Sequence, residues 1–212
     1  MPGLKPGELP EIDPPGGDAA LDALLADVRA CAICADSLPL GPRPVVRMAK
    51  AARILVIGQA PGTKVHETGL PWNDASGDRL RDWLGLPVDD FYDPAKLAIM
   101  PMGFCYPGRM ARGGDLPPRP ECAPTWHEAL RGHLPDIGLT LLIGQYAQSY
   151  YLGKRRAKTM TQTVHQFTDY LPEGILPMPH PSWRNTAWMK KNPWFEADLL
   201  PVLRAKVQAL LG

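Results

Sequence analysis

Short, continuously apolar runs alternate along this chain with longer stretches of helical spacing. Four apolar runs predict buried strands: RILVIG (53–58), LAIMPMGF (97–104), LTLLIG (139–144) and GILPMPH (174–180). Between them, SGDRLRDWLGL, APTWHEALRGHL and GQYAQSYYLG have the spacing of helices. Strands that alternate with helices form βαβ units, so we expect a parallel sheet covered on both faces.

Helices are also predicted at both ends of this region. DAALDALLADVRACAIC places four aliphatic residues on one helical face, with Asp18 as its N-cap. Near the C-terminus, Asn192 is predicted to cap a helix that has Pro193 at its first position. Pro201 should kink this last helix.

Length and composition indicate one α/β domain. The chain has 212 residues, of which 45% are hydrophobic and 21% are charged. No apolar run approaches the roughly 18 residues of a membrane helix. Acids and prolines at the start, where a signal peptide would have a basic and then an apolar stretch, predict a disordered leader over 1–17. We expect a single domain over 18–212 and a cytoplasmic protein.

The net charge of +1 does not indicate a polyanionic partner by itself. Residues 145–212 hold nine Lys and Arg against four acids, so this end carries +5 and the rest carries −4. A basic end could face a polyanion or could be an ordinary solvated surface.

Four stretches follow the predicted strands, where ligands of parallel sheets bind. They are GQAPG (58–62), GFCYPG (103–108), GQY (144–146) and HPSWRN (180–185). GQAPG lacks the Lys-Ser/Thr of a nucleotide P-loop, so alone it indicates only a turn. HPSWRN combines a histidine, a hydroxyl, an aromatic and a cation, which together favour a binding site over a packed core.

The stretch GLPWNDASG (69–77) contains one acid, Asp74, just before a predicted helix. Its position is that of an N-cap, which is the simplest local interpretation. The glycine-rich turn before it leaves a second possibility, a carboxylate that takes part in chemistry.

Cysteine spacing is more specific. Cys31 and Cys34 form a C-x2-C pair, and sixteen residues separate Cys105 from Cys122. In a reducing compartment, two such pairs suit zinc or an iron–sulfur cluster. Four unrelated buried thiols are the alternative.

Taken together and in order, GQAPG, GLPWNDASGDRL, GFCYPG…PRPECAP and HPSWRN resemble the uracil-DNA glycosylase superfamily. They are closest to its iron–sulfur branches, families four and five, over about 31–185. The resemblance implies a three-layer α/β/α sandwich around a four-stranded parallel sheet. It also implies that Cys31, Cys34, Cys105 and Cys122 hold a 4Fe–4S cluster.

The implied activity is that of a monofunctional uracil-DNA glycosylase. A flipped deoxyuridine enters a cleft at the strand ends, and water cleaves its N-glycosidic bond. The resemblance makes Asp74 the acid that positions water and His180 the donor to the base O2. Trp72 would stack on the base, while Gln59 and Ala60 would line the pocket through their backbone. The resemblance makes DNA the expected partner and implies a nucleoid-associated protein within the cytoplasm. We expect a monomer.

The HPSWRN loop would hold the duplex open through four residues: Ser182, Trp183, Arg184 and Asn185. The chain departs from the family pattern at Pro101, where an Asn often reads the uracil amide edge. Recognition would then use the backbone of Met102 or Gly103, and action on hypoxanthine or xanthine becomes an alternative. Gln59 also replaces an acid often seen in family four, which shifts catalysis onto Asp74.

Two further functions are compatible with these residues. One is a damage-binding protein of the same fold with little turnover, in which Lys64 and His66 bind an abasic product. The other is an unrelated α/β hydrolase stabilised by zinc.

Overall fold

The computed structural model describes residues 4, 10, 11, 13–111 and 113–212. Within them, four strands form one sheet, and each of the four predicted apolar runs contains one strand. The strands are β1 (Ile54–Ile57), β2 (Leu97–Ile99), β3 (Leu139–Ile143) and β4 (Ile175–Met178). Their order is β2-β1-β3-β4 and every pairing is parallel, so the predicted sheet is confirmed.

Helices connect the strands and cover both faces of the sheet. They are α1 (Ala19–Arg29), α2 (Thr63–Thr68), α3 (Ala75–Leu84), α4 (Val88–Tyr92), α5 (Glu128–Gly132), α6 (Gln145–Leu152), α7 (Met160–His165), α8 (Phe167–Tyr170), α9 (Thr186–Lys191) and α10 (Leu200–Leu211). The connections between parallel strands run through these helices, as crossover geometry requires.

Alternating strand residues divide the core into two layers. Ile54 and Val56 pack with α3, α4 and α10 on one face. Leu55 and Ile57 pack with α1, α5 and α6 on the other face. Successive side chains of a strand point to opposite faces, so a continuously apolar strand is buried on both. The result is the expected three-layer α/β/α sandwich.

Proline explains where two elements differ from simple expectation. Pro177 lies inside β4, which pairs only with β3 and is therefore an edge strand that tolerates a missing N–H. Pro201 does not kink an α-helix in the way predicted. It lies in the first turn of α10, directly after a π-helical turn over Phe195–Leu199. Asn192 does not cap through its side chain, whose amide donates back to the carbonyl of Trp188 at 2.8 Å.

Two contacts join residues 13–17, within the predicted leader, to the first helix. The Gly16 N–H donates to the Asp22 carboxylate, and Asp13 forms a 2.8 Å ion pair with Arg29. Asp18 caps α1 as predicted, accepting from the N–H groups of Ala20 and Leu21. Residues 1–3, 5–9 and 12 of that leader lie outside the described residues. No helix in the described parts of the chain has both the length and the apolarity to span a bilayer.

Candidate active site

A cavity of about 140 Å³ lies at the carboxyl ends of β1, β2 and β4. One wall is apolar and consists of Val45, Val65, Pro71, Ile99 and Pro101. The polar lining is made by Gln59, Asp74, Ser76, Asp115, His180 and Ser182. The cavity opens into a wider groove that shares much of this polar lining and is also bordered by Trp183, Arg184 and Asn185. Chemistry-bearing side chains therefore converge where parallel sheets bind their ligands.

Trp72 forms one side of this cavity in a strained backbone conformation. Its φ of 57° lies in the left-handed region, and it is the one non-glycine residue with positive φ among those described. Two glycines permit the arrangement. A Cβ on Gly58 would lie 2.7 Å from the indole Cζ2, and a Cβ on Gly77 would lie 1.7 Å from the Trp72 carbonyl oxygen. The indole can therefore lie directly against the first turn of the GQAPG loop.

Asp74 is both a helix cap and a cavity residue. One carboxylate oxygen accepts from the Gly77 N–H at 2.8 Å, so Asp74 caps α3. The same side chain lines both the cavity and the groove. The cap hydrogen bond uses one oxygen and fixes the side-chain direction, which leaves the second oxygen available to a ligand.

His180 faces Asp74 across the cavity as a neutral imidazole. Burial lowers the pKa of His180, and the nearby Asp74 carboxylate opposes this shift only in part. Its Nδ1 accepts from the Ser182 N–H at 3.2 Å, so the proton of the neutral ring is assigned to Nε2. The ring centroid lies 5.5 Å from that of Trp72. The site thus presents an aromatic surface beside a neutral N–H donor.

The 180–185 loop is held by hydrogen bonds to its backbone. The Asn185 side-chain amide donates to the His180 carbonyl at 2.7 Å, and Arg79 donates to the Ser182 carbonyl at 3.1 Å. Trp183 is 73% exposed, and the Arg184 guanidinium lies 5.6 Å from its ring centroid. All three side chains border the groove, and Asn185 in addition supports the loop through its hydrogen bond.

Met102 and Gly103 do not line the cavity, in contrast to the predicted contact with the base. Their N–H groups donate to the carbonyls of Gly58 and Gln59, both at 3.0 Å. These donors are therefore already used in joining the loops after β1 and β2. Pro101 lines the cavity instead, and the His127 Nε2 lies 3.1 Å from its carbonyl oxygen.

Asp115 is a second carboxylate in the cavity lining that the motif comparison did not single out. It belongs to a short hairpin in which its backbone bridges to that of Arg109. Burial of its carboxyl raises the pKa of Asp115; Arg109 and Arg184 lower it, and Asp74 raises it further. The signal in the sequence was its place in the long loop between Cys105 and Cys122, a loop whose two ends supply predicted cluster ligands.

Lys64 and His66 lie outside the lining of both the cavity and the groove. Val65, the residue between them, does line the cavity. The structure therefore does not bring them to the position expected for contact with an abasic product. Of the nine cations in residues 145–212, Arg184 is the one that lines the groove.

The four cysteines lie together around a separate cavity. Cys31, Cys34, Cys105 and Cys122 line it with Leu38, Pro44, Phe104 and Arg119. No three His, Cys, Asp or Glu side chains in the described parts of the chain meet in a way that would hold a single metal ion. A tetrahedral zinc site would need sulfurs within about 4 Å of one another, given Zn–S bonds of about 2.3 Å. A four-iron cubane binds each thiolate at a different corner, so it suits thiols placed around a space.

Two of the four cysteine sulfurs also accept hydrogen bonds from the backbone. The pKa values of Cys105 and Cys122 are raised to about 11 by burial. Hydrogen bonds from the backbone of Arg43 to Cys105 and of Phe104 to Cys122 act in the opposite direction and favour the thiolates. Such hydrogen bonds to sulfur are a feature of iron–sulfur sites.

Comparison with protein families agrees with this geometry. The family model described as "Uracil DNA glycosylase superfamily" matches residues 46–204, which is most of the chain. The chain belongs to the uracil DNA glycosylase superfamily. The matched region contains the whole sheet, Asp74, Asp115 and His180. Membership implies a glycosylase, a hydrolase of DNA repair that acts on DNA.

Proposed function

We propose that this protein removes uracil from DNA by hydrolysing the N-glycosidic bond of a flipped deoxyuridine. The observation that carries the proposal is the single cavity in which Trp72, Asp74 and His180 meet. Its volume of about 140 Å³ is close to the roughly 150 Å³ of an apolar cavity that accommodates benzene. A single-ring base matches this space better than the two-ring bases hypoxanthine and xanthine.

The three side chains suit the charges that develop during this hydrolysis. As C1′–N1 breaks, its electron pair leaves with the base and places negative charge on O2, while the sugar becomes cationic. The Nε2–H of neutral His180 donates to that oxygen, as Trp72 stacks on the ring. Asp74 holds the attacking water and stabilises the cationic sugar. Water then supplies the new C1′ hydroxyl, so no covalent enzyme intermediate is needed.

Base selection would depend on size and stacking more than on reading the amide edge. The apolar part of the cavity lining includes Val45, Ile99 and Pro101, which present no side-chain donor or acceptor. The backbone donors that follow Pro101, at Met102 and Gly103, are already paired. We therefore expect uracil to be cleaved, with weaker discrimination among single-ring bases than a hydrogen-bonding pocket would give.

The groove would hold the rest of the DNA. Trp183, an exposed aromatic side chain that lines the groove, would act as a wedge that replaces the flipped base. Arg109 and Arg184 also line the groove and would contact phosphates.

The four cysteines would hold a 4Fe–4S cluster. Two observations support this assignment. The four cysteines line one cavity, and backbone N–H groups donate to the sulfurs of Cys105 and Cys122. The bound cluster would contribute no step to the hydrolysis; it would tie the end of α1 to the loops that follow β2.

A multiple-turnover assay tests the function. Excess duplex oligonucleotides would carry uracil, hypoxanthine, xanthine or mismatched thymine. We expect many turnovers on uracil and far slower release of the two-ring bases. Conversion limited to one equivalent would instead support a damage-binding protein.

Asp74→Asn is the accompanying variant. It should lower uracil release by about two to four orders of magnitude, because asparagine lacks the negative charge that holds the attacking water and stabilises the cationic sugar. Asparagine is also a good N-cap, so the melting temperature should change little. Asp136→Asn provides a matched control, because Asp136 is exposed and precedes β3 at the opposite edge of the sheet. Near-normal cleavage by Asp74→Asn would contradict the assignment.

A further inference from the structure

The cavity contains two carboxylates with different surroundings. Asp74 is fixed to the first turn of α3 through the Gly77 N–H. Asp115 comes from a different loop, a hairpin in which residues 108–110 pair with residues 114–116. Its Oδ2 lies 3.7 Å from the place that a Cβ on Gly62 would occupy, so it faces the GQAPG turn.

Within the described residues, backbone hydrogen bonds hold the segment around Asp115, and its side chain takes no part in them. The hairpin is joined through its backbone, by hydrogen bonds of 2.8 Å from Met110 N–H to Gly114 and 2.9 Å from Leu116 N–H to Gly108. Among the residues that the structure describes, none forms a hydrogen bond or ion pair with the Asp115 carboxylate. A carboxylate with an open set of lone pairs, lining a ligand cavity, is free to accept a proton or a hydrogen bond from what enters it.

We infer that Asp115 is a second catalytic carboxylate, which accepts the proton of the water that attacks C1′. This inference rests on the proposed glycosylase function. In the step, the water oxygen bonds to C1′ and the C1′–N1 electron pair leaves on the base. The water proton passes to Asp115, while Asp74 holds the same water and faces the cationic sugar. The base anion, hydrogen-bonded to His180, later takes a proton from solvent.

The electrostatic setting supports this division of roles. The charged groups that face Asp115 are Asp74 from the start of α3, Arg109 from its own hairpin and Arg184 from the 180–185 loop. Burial and Asp74 raise the pKa of Asp115, which makes it a stronger base than an ordinary aspartate. The two arginines act in the opposite direction and lower the pKa of Asp115, which favours the deprotonated carboxylate near neutral pH.

Asp115→Asn tests the inference. We expect kcat on uracil-containing duplex to fall by about tenfold to a hundredfold, at or below the lower end for a general base. The dissociation constant for DNA should stay the same or decrease, because a negative charge leaves a DNA-binding groove. The melting temperature should not change. Asp136→Asn should leave all three quantities unchanged.

The pH profile separates catalysis from a structural role. The base must be deprotonated, so wild-type kcat should fall as the pH drops through the raised pKa of Asp115, and Asp115→Asn should move that acid limb to lower pH. A variant with kcat within about twofold of wild type and an unchanged acid limb would overturn the role of Asp115 alone. A wild-type protein without turnover would overturn this role together with the proposed function.

Discussion

The candidate active-site cavity and the cysteine cavity share one loop and yet have opposite character. Pro101, at the end of β2, lines the cavity proposed to bind the base, and Cys105, four residues later, lines the cysteine cavity. The first is open to a groove and carries carboxylates and an imidazole. The second is bordered by buried apolar groups such as Leu38 and Phe104. A site for chemistry needs accessible polar groups, whereas a site that ties loops together needs enclosure.

His127 lies between the two and connects them. Its Nε2 donates to the Pro101 carbonyl, and its Nδ1 accepts from the Tyr151 hydroxyl at 2.6 Å. Its ring stacks on Phe104, which lines the cysteine cavity. The backbone at Pro101, which lines the first cavity, is therefore held from the side of the cysteine cavity.

The largest effect should come from the cysteine cavity. Cys105→Ala should lower iron content and yield of soluble protein, because binding of a structural metal centre stabilises the folded state. Leu38→Ala removes a side chain from the same cavity and should cost about 2–5 kcal/mol without loss of iron per folded molecule. Iron analysis, visible absorption and solubility are the measurements. A soluble, iron-free and fully active Cys105→Ala protein would contradict the structural role.

An intermediate effect is expected at the connection between the cavities. Burial lowers the pKa of His127 to about 4, from about 6.5 in the unfolded chain. Between these values the unfolded state binds a proton that the folded state does not, so stability falls as the pH decreases. The loss amounts to about 3 kcal/mol from pH 6.5 to pH 4.

Urea unfolding at several pH values measures this loss. His127→Gln lacks the titrating group, so its free energy of unfolding should decline less steeply over the same range. Equal slopes for the variant and the wild type would show that other groups cause the acid sensitivity.

The smallest effect should come from the groove. Trp183→Ala should weaken activity on duplex DNA by about tenfold, in line with the loss of one base–aromatic stack, and affect single-stranded substrate less. Leu40→Ala offers a control, since Leu40 is 51% exposed but lies outside the groove lining. Equal losses on duplex and single strands would argue against a wedge.

Much of the fold could be predicted from local pattern. Apolar runs placed the four strands of the sheet, because strands buried on both faces are almost entirely apolar. The cap at Asp74 was also predictable, since Asp before an apolar-periodic run satisfies free helix N–H groups. The C-terminal region was harder to predict, because the choice between a kink and a π-helical turn beside Pro201 depends on tertiary packing.

The candidate site was predicted only in part. Motifs named Asp74, His180 and Trp72, which the structure brings to one cavity. They did not show that the N–H groups of Met102 and Gly103 are consumed by the neighbouring loop, because hydrogen-bond partners distant in the chain leave no local pattern. Asp115 was missed for the same reason: its hairpin reaches the cavity only once the loops are assembled.

The sequence by itself determined the order of strands and helices, the cysteine pairs and the residues that a glycosylase site requires. These follow from side-chain periodicity and from motifs a few residues long. The tertiary structure decided which of those groups remain free to act on a substrate. In the folded protein, one oxygen of Asp74 caps a helix, and both backbone donors after Pro101 bind a neighbouring loop. The carboxylate of Asp115 faces the cavity. Competition among hydrogen-bond partners is settled only when the folded loops meet.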